Sequence, residues 1–192
     1  QRIMKKVLFF ILVLIFANAV FAQSTPKPFD LSEYGVKIEP NKQLIAVMIA
    51  LEAGGIETPL SKNGKDFRDK LQQDLSGLDE NLKTRLKFFI NNYKSRHPKS
   101  SPAELTAPFV SLAYALTPAP EFYAPPRTVD LPDDLLEVLD FAPLVKELYG
   151  KPFIQANFPA YLQLYKNEGE KMQFSASEMI TSLLDYLHTR PE

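Results

Sequence analysis

Apolar residues along this chain recur with helical spacing, block after block, and prolines separate most of the blocks. Residues 41–54 read NKQLIAVMIALEAG, where Leu44, Ile45, Val47, Met48, Ile49 and Leu51 cover every face of a helix. All-round apolarity over so short a helix predicts a central element that others must cover. Asn41 is placed to cap its first turn and Gly54 to take the left-handed closing position. Next come a stripe of Phe67, Leu71, Leu75 and Leu78, with Gly77 weakening its end, and a second of Leu82, Leu86, Phe89, Ile90 and Tyr93, capped by Asp79 and closed by Pro98. Ser101-Pro102 opens a helix that buries Leu105, Phe109, Leu112, Ala113 and Leu116, and Pro108 inside it predicts a kink or a two-piece start.

Residues 117–132 (TPAPEFYAPPRTVDLP) hold five prolines and no glycine, which predicts a stiff, extended connection. Beyond it, Asp133 is placed to cap a short helix through Leu139, and Leu144, Val145, Leu148 and Tyr149 form a stripe ending at Gly150. Phe153, Ile154, Phe158, Tyr161, Leu162 and Tyr165 form another, broken by Pro159. Ser175-Ala-Ser-Glu178 has the form of a capping box, so the pattern predicts a separate last helix carrying Met179, Ile180, Leu183, Leu184 and Leu187. The fold class is therefore all-α: a single multi-helix domain of about eight helices around the apolar one, spanning residues 41–192. No recognised repeat period stands out, although helix pairs of this size also fit a solenoid.

The amino end has a different pattern. Met4 is followed by Lys5 and Lys6, an apolar run over residues 7–16 and small residues at Ala17, Ala19 and Ala22, the layout of a secretory signal peptide cleaved after Ala22. The run is shorter than the ~20 residues that cross a bilayer, which argues against an uncleaved anchor. A lipoprotein anchor would need a cysteine. Residues 1–22 are thus read as a signal peptide, with residues 1–3 as upstream read-through, and residues 23–40 as an extended leader in which Val36 and Ile38 alternate like a short strand. The destination is periplasmic or secreted.

Composition narrows the remainder. Residues 1–22 carry Arg2, Lys5 and Lys6 and no acid, so the 170 residues left hold 19 basic against 23 acidic ones, a net charge of −4. That balance speaks against nucleic-acid or anionic-membrane partners, and cleavage would leave no stable membrane insertion. With no cysteine, disulfides, thiolate metal sites and cysteine nucleophiles are excluded. Stability rests on packing, for which the ten Phe and eight Tyr beyond residue 22 supply bulk.

Candidate chemistry is sparse. His97 and His188 both fall at predicted helix ends, outside any metal-binding spacing, where an imidazole bonds free carbonyls. Asp130, Asp133, Asp134, Glu137 and Asp140 cluster, but without the glycine and alternate spacing of a calcium loop, and acids at a helix start suit its dipole. The SxxK match Ser24–Lys27 lies in the leader. No catalytic, cofactor-binding or metal residue is assigned. Phe122, Tyr123, Phe153, Phe158, Tyr161 and Tyr165 either line a groove or fill the core. The candidate recognition surface is Glu121, Phe122, Tyr123 and Arg127, on a loop whose prolines restrict the free chain before a partner arrives.

The segments PNKQLIAVMIALEAGG, FFINNYKSRHP and ELYGKPFIQANFPAYLQLY follow one another in an order that resembles the amino-terminal helical part of certain secreted bacterial proteins of unknown function, some of them peptidase-like. The likeness covers about two thirds of the mature chain and implies a helical, exported protein. The HExxH of the peptidase-like members is missing, so no catalytic residue carries over. Two functional readings follow. In the first the chain is an exported non-catalytic helical module that binds or scaffolds another exported protein or peptide. In the second it is the substrate-framing amino-terminal part of a hydrolase whose chemistry lies beyond Glu192.

Overall fold

The computed structural model describes residues 39–56 and 65–187. The signal peptide, the leader strand at Val36 and Ile38, the Ser24–Lys27 match and His188 lie outside them. The described residues fall into two compact units, one running to Lys171 and the other including those from Met172 onward. Every described element is helical: α1 (Lys42–Gly54), α2 (Lys65–Leu75), α3 (Glu80–Arg96), α4 (Pro102–Ala115), the single turn α5 (Asp133–Leu136), a 3₁₀ turn (Leu139–Phe141), α6 (Ala142–Tyr149) and α7 (Pro152–Tyr186). Among the described residues this makes six helices of two turns or more and two single turns, where the pattern predicted about eight.

The helix α1 occupies the centre of the first unit, packed by α2, α3, α4 and α6. Asn41 caps it, its Oδ1 accepting from the Leu44 N–H at 2.8 Å. Ile45, Val47, Ile49, Ala50 and Leu51 are buried, and Leu44 and Met48 are half-covered. Gly54 stays inside the helix, and the left-handed closing position belongs to Gly55, with φ 89° and ψ 26°. The Gly55 N–H reaches the Glu52 carbonyl and the Ile56 N–H the Leu51 carbonyl, the two bonds of a Schellman close. Lys94 of α3 adds a third contact by donating to the Gly55 carbonyl at 2.7 Å.

Gly54 serves a separate purpose. A Cβ there would stand 2.5 Å from Cγ1 of the buried Ile90 and 3.3 Å from the Leu86 carbonyl, so its lack of a side chain sets how closely α1 and α3 approach. Asp79 caps α3 through the Leu82 N–H at 2.9 Å and meets Lys151 at 2.6 Å. Those two contacts, the lysine's first, hold its carboxyl below the usual range. Ser101 and Glu104 form a reciprocal capping box on α4, which continues unbroken through Pro108. Phe89, Tyr93, Phe109 and Phe141 join α3, α4 and the 3₁₀ turn, three pairs edge to face and Phe89–Phe141 tilted at 42°, with neighbouring rings 5.0–6.4 Å apart.

Four local expectations are corrected. Pro132, rather than Asp133, occupies the cap of α5, and the expected helix through Leu139 breaks into one α turn and a 3₁₀ turn. The stripe expected to end at Gly150 does end there, with Gly150 closing α6 at an ordinary right-handed φ of −69°. Pro159 does not break α7: it and Gln155, whose carbonyl loses its helical donor, lie on the exposed face, where that carbonyl is open to solvent. Ser175 opens no new helix but lies within α7, and Ser182 donates to the Glu178 carbonyl at 2.9 Å, as hydroxyls inside helices do. In the second unit Met179, Leu183 and Leu187 are exposed.

Replacing Gly54 by alanine should destabilise the first unit by about 1–3 kcal/mol, because the overpacking against Ile90 outweighs the gain in helix propensity of roughly 1 kcal/mol. Thermal melting of the single variants and the pair checks this: in an Ile90→Ala background the same exchange should cost less, since the clashing atom is gone.

Candidate functional site

The proline-rich stretch of residues 117–132 folds into a tight frame on α6. The Thr117 N–H donates to the Tyr123 carbonyl at 3.0 Å, and the Tyr123 N–H returns to the Thr117 hydroxyl oxygen at 2.9 Å. The seven residues 117–123 are thereby closed into a loop, which contains a cis Ala119–Pro120 bond. Just before the closing residue, Phe122 takes a left-handed conformation, φ 48°, disfavoured for an aromatic residue by roughly 1–3 kcal/mol. The compensation is visible in its surroundings: Phe122 is 1% exposed and its ring lies 5.0 Å from that of Tyr149, which in turn meets Phe158 at 4.9 Å.

The same turn points Tyr123 outward, where it is 60% exposed. Its ring carries the ammonium of Lys146 4.4 Å from the centroid. Between this pair and Arg127 lies an open cavity of about 460 Å³, walled by Pro125 and Pro126 on one side and by Leu139, Ala142 and Pro143 on the other. Arg127 stands at the far side, donating to the Leu136 carbonyl at 3.2 Å and pairing with Asp140 at 3.0 Å.

The four residues read as a recognition surface are thus divided. Tyr123 and Arg127 line the cavity with solvent access and Glu121 is exposed beside it, whereas the Phe122 ring is core and holds Tyr123 in place from beneath. Of the wider aromatic set, Phe158 and Tyr161 are buried and Phe153 and Tyr165 are half-covered against the core. The acidic cluster is dispersed among partners. Glu137 meets His97 at 2.8 Å and Arg96 at 3.6 Å, Asp140 holds Arg127, and Asp134 accepts from the Leu135 N–H. His97 therefore bonds a distant carboxylate rather than free carbonyls, while its ring rests 4.6 Å from Tyr93. Burial pushes the Tyr93 phenol up, and the neighbouring Glu137 and Asp134 add to it.

Sequence reasoning missed two things. Lys146 and Pro143 belong to the cavity only through the packing of α6, and nothing local to them signals it. Glu52 is different, because a single carboxylate in the otherwise apolar α1 is a readable anomaly. Its side chain is 2% exposed and accepts from Arg68 at 3.0 and 3.3 Å and from Gln72 at 3.4 Å, both on α2. Tyr165 senses it: burial first, then the Glu52 charge, push that phenol up to about 12. Nearby, Tyr161 donates to Asp74, which Lys70 also meets at 3.1 Å. These polar groups satisfy one another around the nearly sealed Glu52 carboxylate and so hold helices together, whereas the cavity beside Tyr123 is open.

Among the described residues no helix is long and apolar enough to cross a membrane. No protein-family model, curated protein or solved structure matches the chain.

Single replacements should separate the two rings of the turn. Phe122→Ala should cost about 3–5 kcal/mol in thermal or denaturant unfolding, as expected for a buried ring, while Tyr123→Ala should stay within about 0.5 kcal/mol.

Proposed function

We propose that this chain is an exported, non-catalytic helical module that binds a protein or peptide through the cavity beside Tyr123. The observation that carries the reading is Phe122, an aromatic residue kept at positive φ with its ring in the core. A strained residue persists only where its surroundings over-determine it, and such positions concentrate at ligand clamps. Here the strain presents Tyr123 on a frame of prolines that has little freedom left to lose on binding. Aromatic and arginine side chains around an apolar floor match the composition of interface hot spots. Export is supported by the sequence of residues 4–22 alone. The cleavable signal peptide, the leader of residues 23–40 and a periplasmic or secreted location belong to this proposal.

Two measurements test it. Expressed with its full amino end in a bacterium with a Sec pathway, the chain should appear outside the cytoplasm, and mass spectrometry should find it beginning at Gln23; retention in the cytoplasm at full length would overturn the export reading. Pull-down from the periplasmic fraction should recover a partner with the wild type but not with Tyr123→Ala or Lys146→Ala, both still folded by circular dichroism. Equal recovery with all three would remove the cavity from the binding surface.

A further inference from the structure

The cavity beside Tyr123 does not end at Arg127. A second opening of about 460 Å³ lies against α3, lined by Phe89, Asn92, Arg96, Leu136 and Glu137, and Arg127 and Asp140 line both. The Arg127–Asp140 bridge therefore stands between two halves of one groove. Both partners are solvent-facing, Arg127 at 55% and Asp140 at 78% of their side-chain surface, and exposed bridges of this kind are weak. Arg127 keeps its bond to the Leu136 carbonyl independently of Asp140, so its guanidinium stays aimed at the groove when the carboxylate leaves.

The charges along this groove are not balanced. Lys146, Arg127 and Arg96 face Asp140 and Glu137, in a chain whose formal net charge is −1. Glu137 is occupied by Arg96 and His97, and Asp140 by Arg127. Lys146 has only the Tyr123 ring, with no carboxylate in salt-bridge range among the described residues. The groove thus offers one cation without an anion and a second whose anion is easily exchanged, at opposite ends of an apolar floor. Two cavities in series suit an extended chain, which advances ~3.3 Å per residue, better than a compact ligand.

Resting on the binding role proposed above, we infer that the groove takes an extended acidic peptide segment, with one carboxylate against Lys146 and another replacing Asp140 on Arg127. Charge-assisted, fork-like pairing of guanidinium with carboxylate gives such a segment its register, while its apolar or proline residues lie on Pro125, Pro143 and Leu139.

The test uses a random twelve-residue peptide library displayed on phage and panned against the purified chain as exported. Enriched sequences should place Asp or Glu among proline and apolar residues. A synthetic copy of the best of them should lose at least tenfold in affinity on Lys146→Glu or Arg127→Glu, and on exchange of its own acids for amides. Asp140→Asn removes the competitor for Arg127, so it should tighten binding several-fold, a gain that a merely structural bridge would not produce. Thermal melting of each variant confirms that the fold is intact. Enrichment of neutral or basic peptides that still require Tyr123 would overturn the acidic class and leave the groove as the binding site. Peptides indifferent to Tyr123→Ala, or no enrichment at all, would overturn the groove itself and this inference with it.

Discussion

The rest of the first unit is organised by the burial of α1 on all sides. A helix apolar around its whole circumference gains from every neighbour, at about 25 cal/mol per Å² of apolar surface removed from water, and is stable only when no face is left open. Covering it takes α2, α3, α4 and α6 together. Its one carboxylate, Glu52, then has to be neutralised in place, because an unpaired buried charge costs several kcal/mol while a well-bonded pair roughly breaks even. Arg68 and Gln72 meet that demand, and both come from α2, the most polar of the longer helices. The buried pair thereby settles where α2 docks: Leu71 and Leu75 give it adhesion, and the carboxylate gives it register.

The same burial positions the walls of the groove. Close approach of α3 at Gly54 brings its aromatic face against Phe109 and Phe141, which fixes the 3₁₀ turn and the start of α6. Tyr149, at the end of α6, then offers its ring to Phe122. Through that ring, not through any hydrogen bond to Tyr123 from the core, the apolar interior dictates the backbone of the surface loop. The strain at Phe122 is therefore balanced by core packing together with the bonds that close the loop.

What the sequence made legible was whatever depends on residues a few positions apart. Asn41, Asp79 and Ser101 are caps because the groups they bond lie three residues on, and the stripes of α3 and α4 bury almost as their spacing requires. Errors arose where two local signals competed. Gly54 and Gly55 are both able to close a helix, and only the contact with Ile90 assigns the first to packing and the second to the turn. Ser175 carries a start signal, but a start signal has no force once the preceding residues are already helical, and no proline lies between Pro159 and Ser175 to stop them. The loop of residues 121–127 could be singled out from its prolines and aromatics. Which of Phe122 and Tyr123 turns inward could not, because that depends on Tyr149, far along the chain and on another helix.

The contrast between the two arginine–carboxylate pairs shows how one chemistry serves two ends. Around Glu52 the carboxylate is nearly sealed from water and removing a partner would strand a charge, so the pair is fixed and specifies packing. At Asp140 both groups face water, and hydration compensates either one when the pair opens, at a cost within about 1 kcal/mol. A competing carboxylate can then exchange with Asp140 without disturbing the core. The constrained backbone lies where the frame is made, at Phe122 and the prolines, and the loosely held charges lie at Arg127 and Lys146. That distribution favours the binding role proposed above, because an ordered frame lowers the entropic cost of association while loosely held charges keep its desolvation cost small.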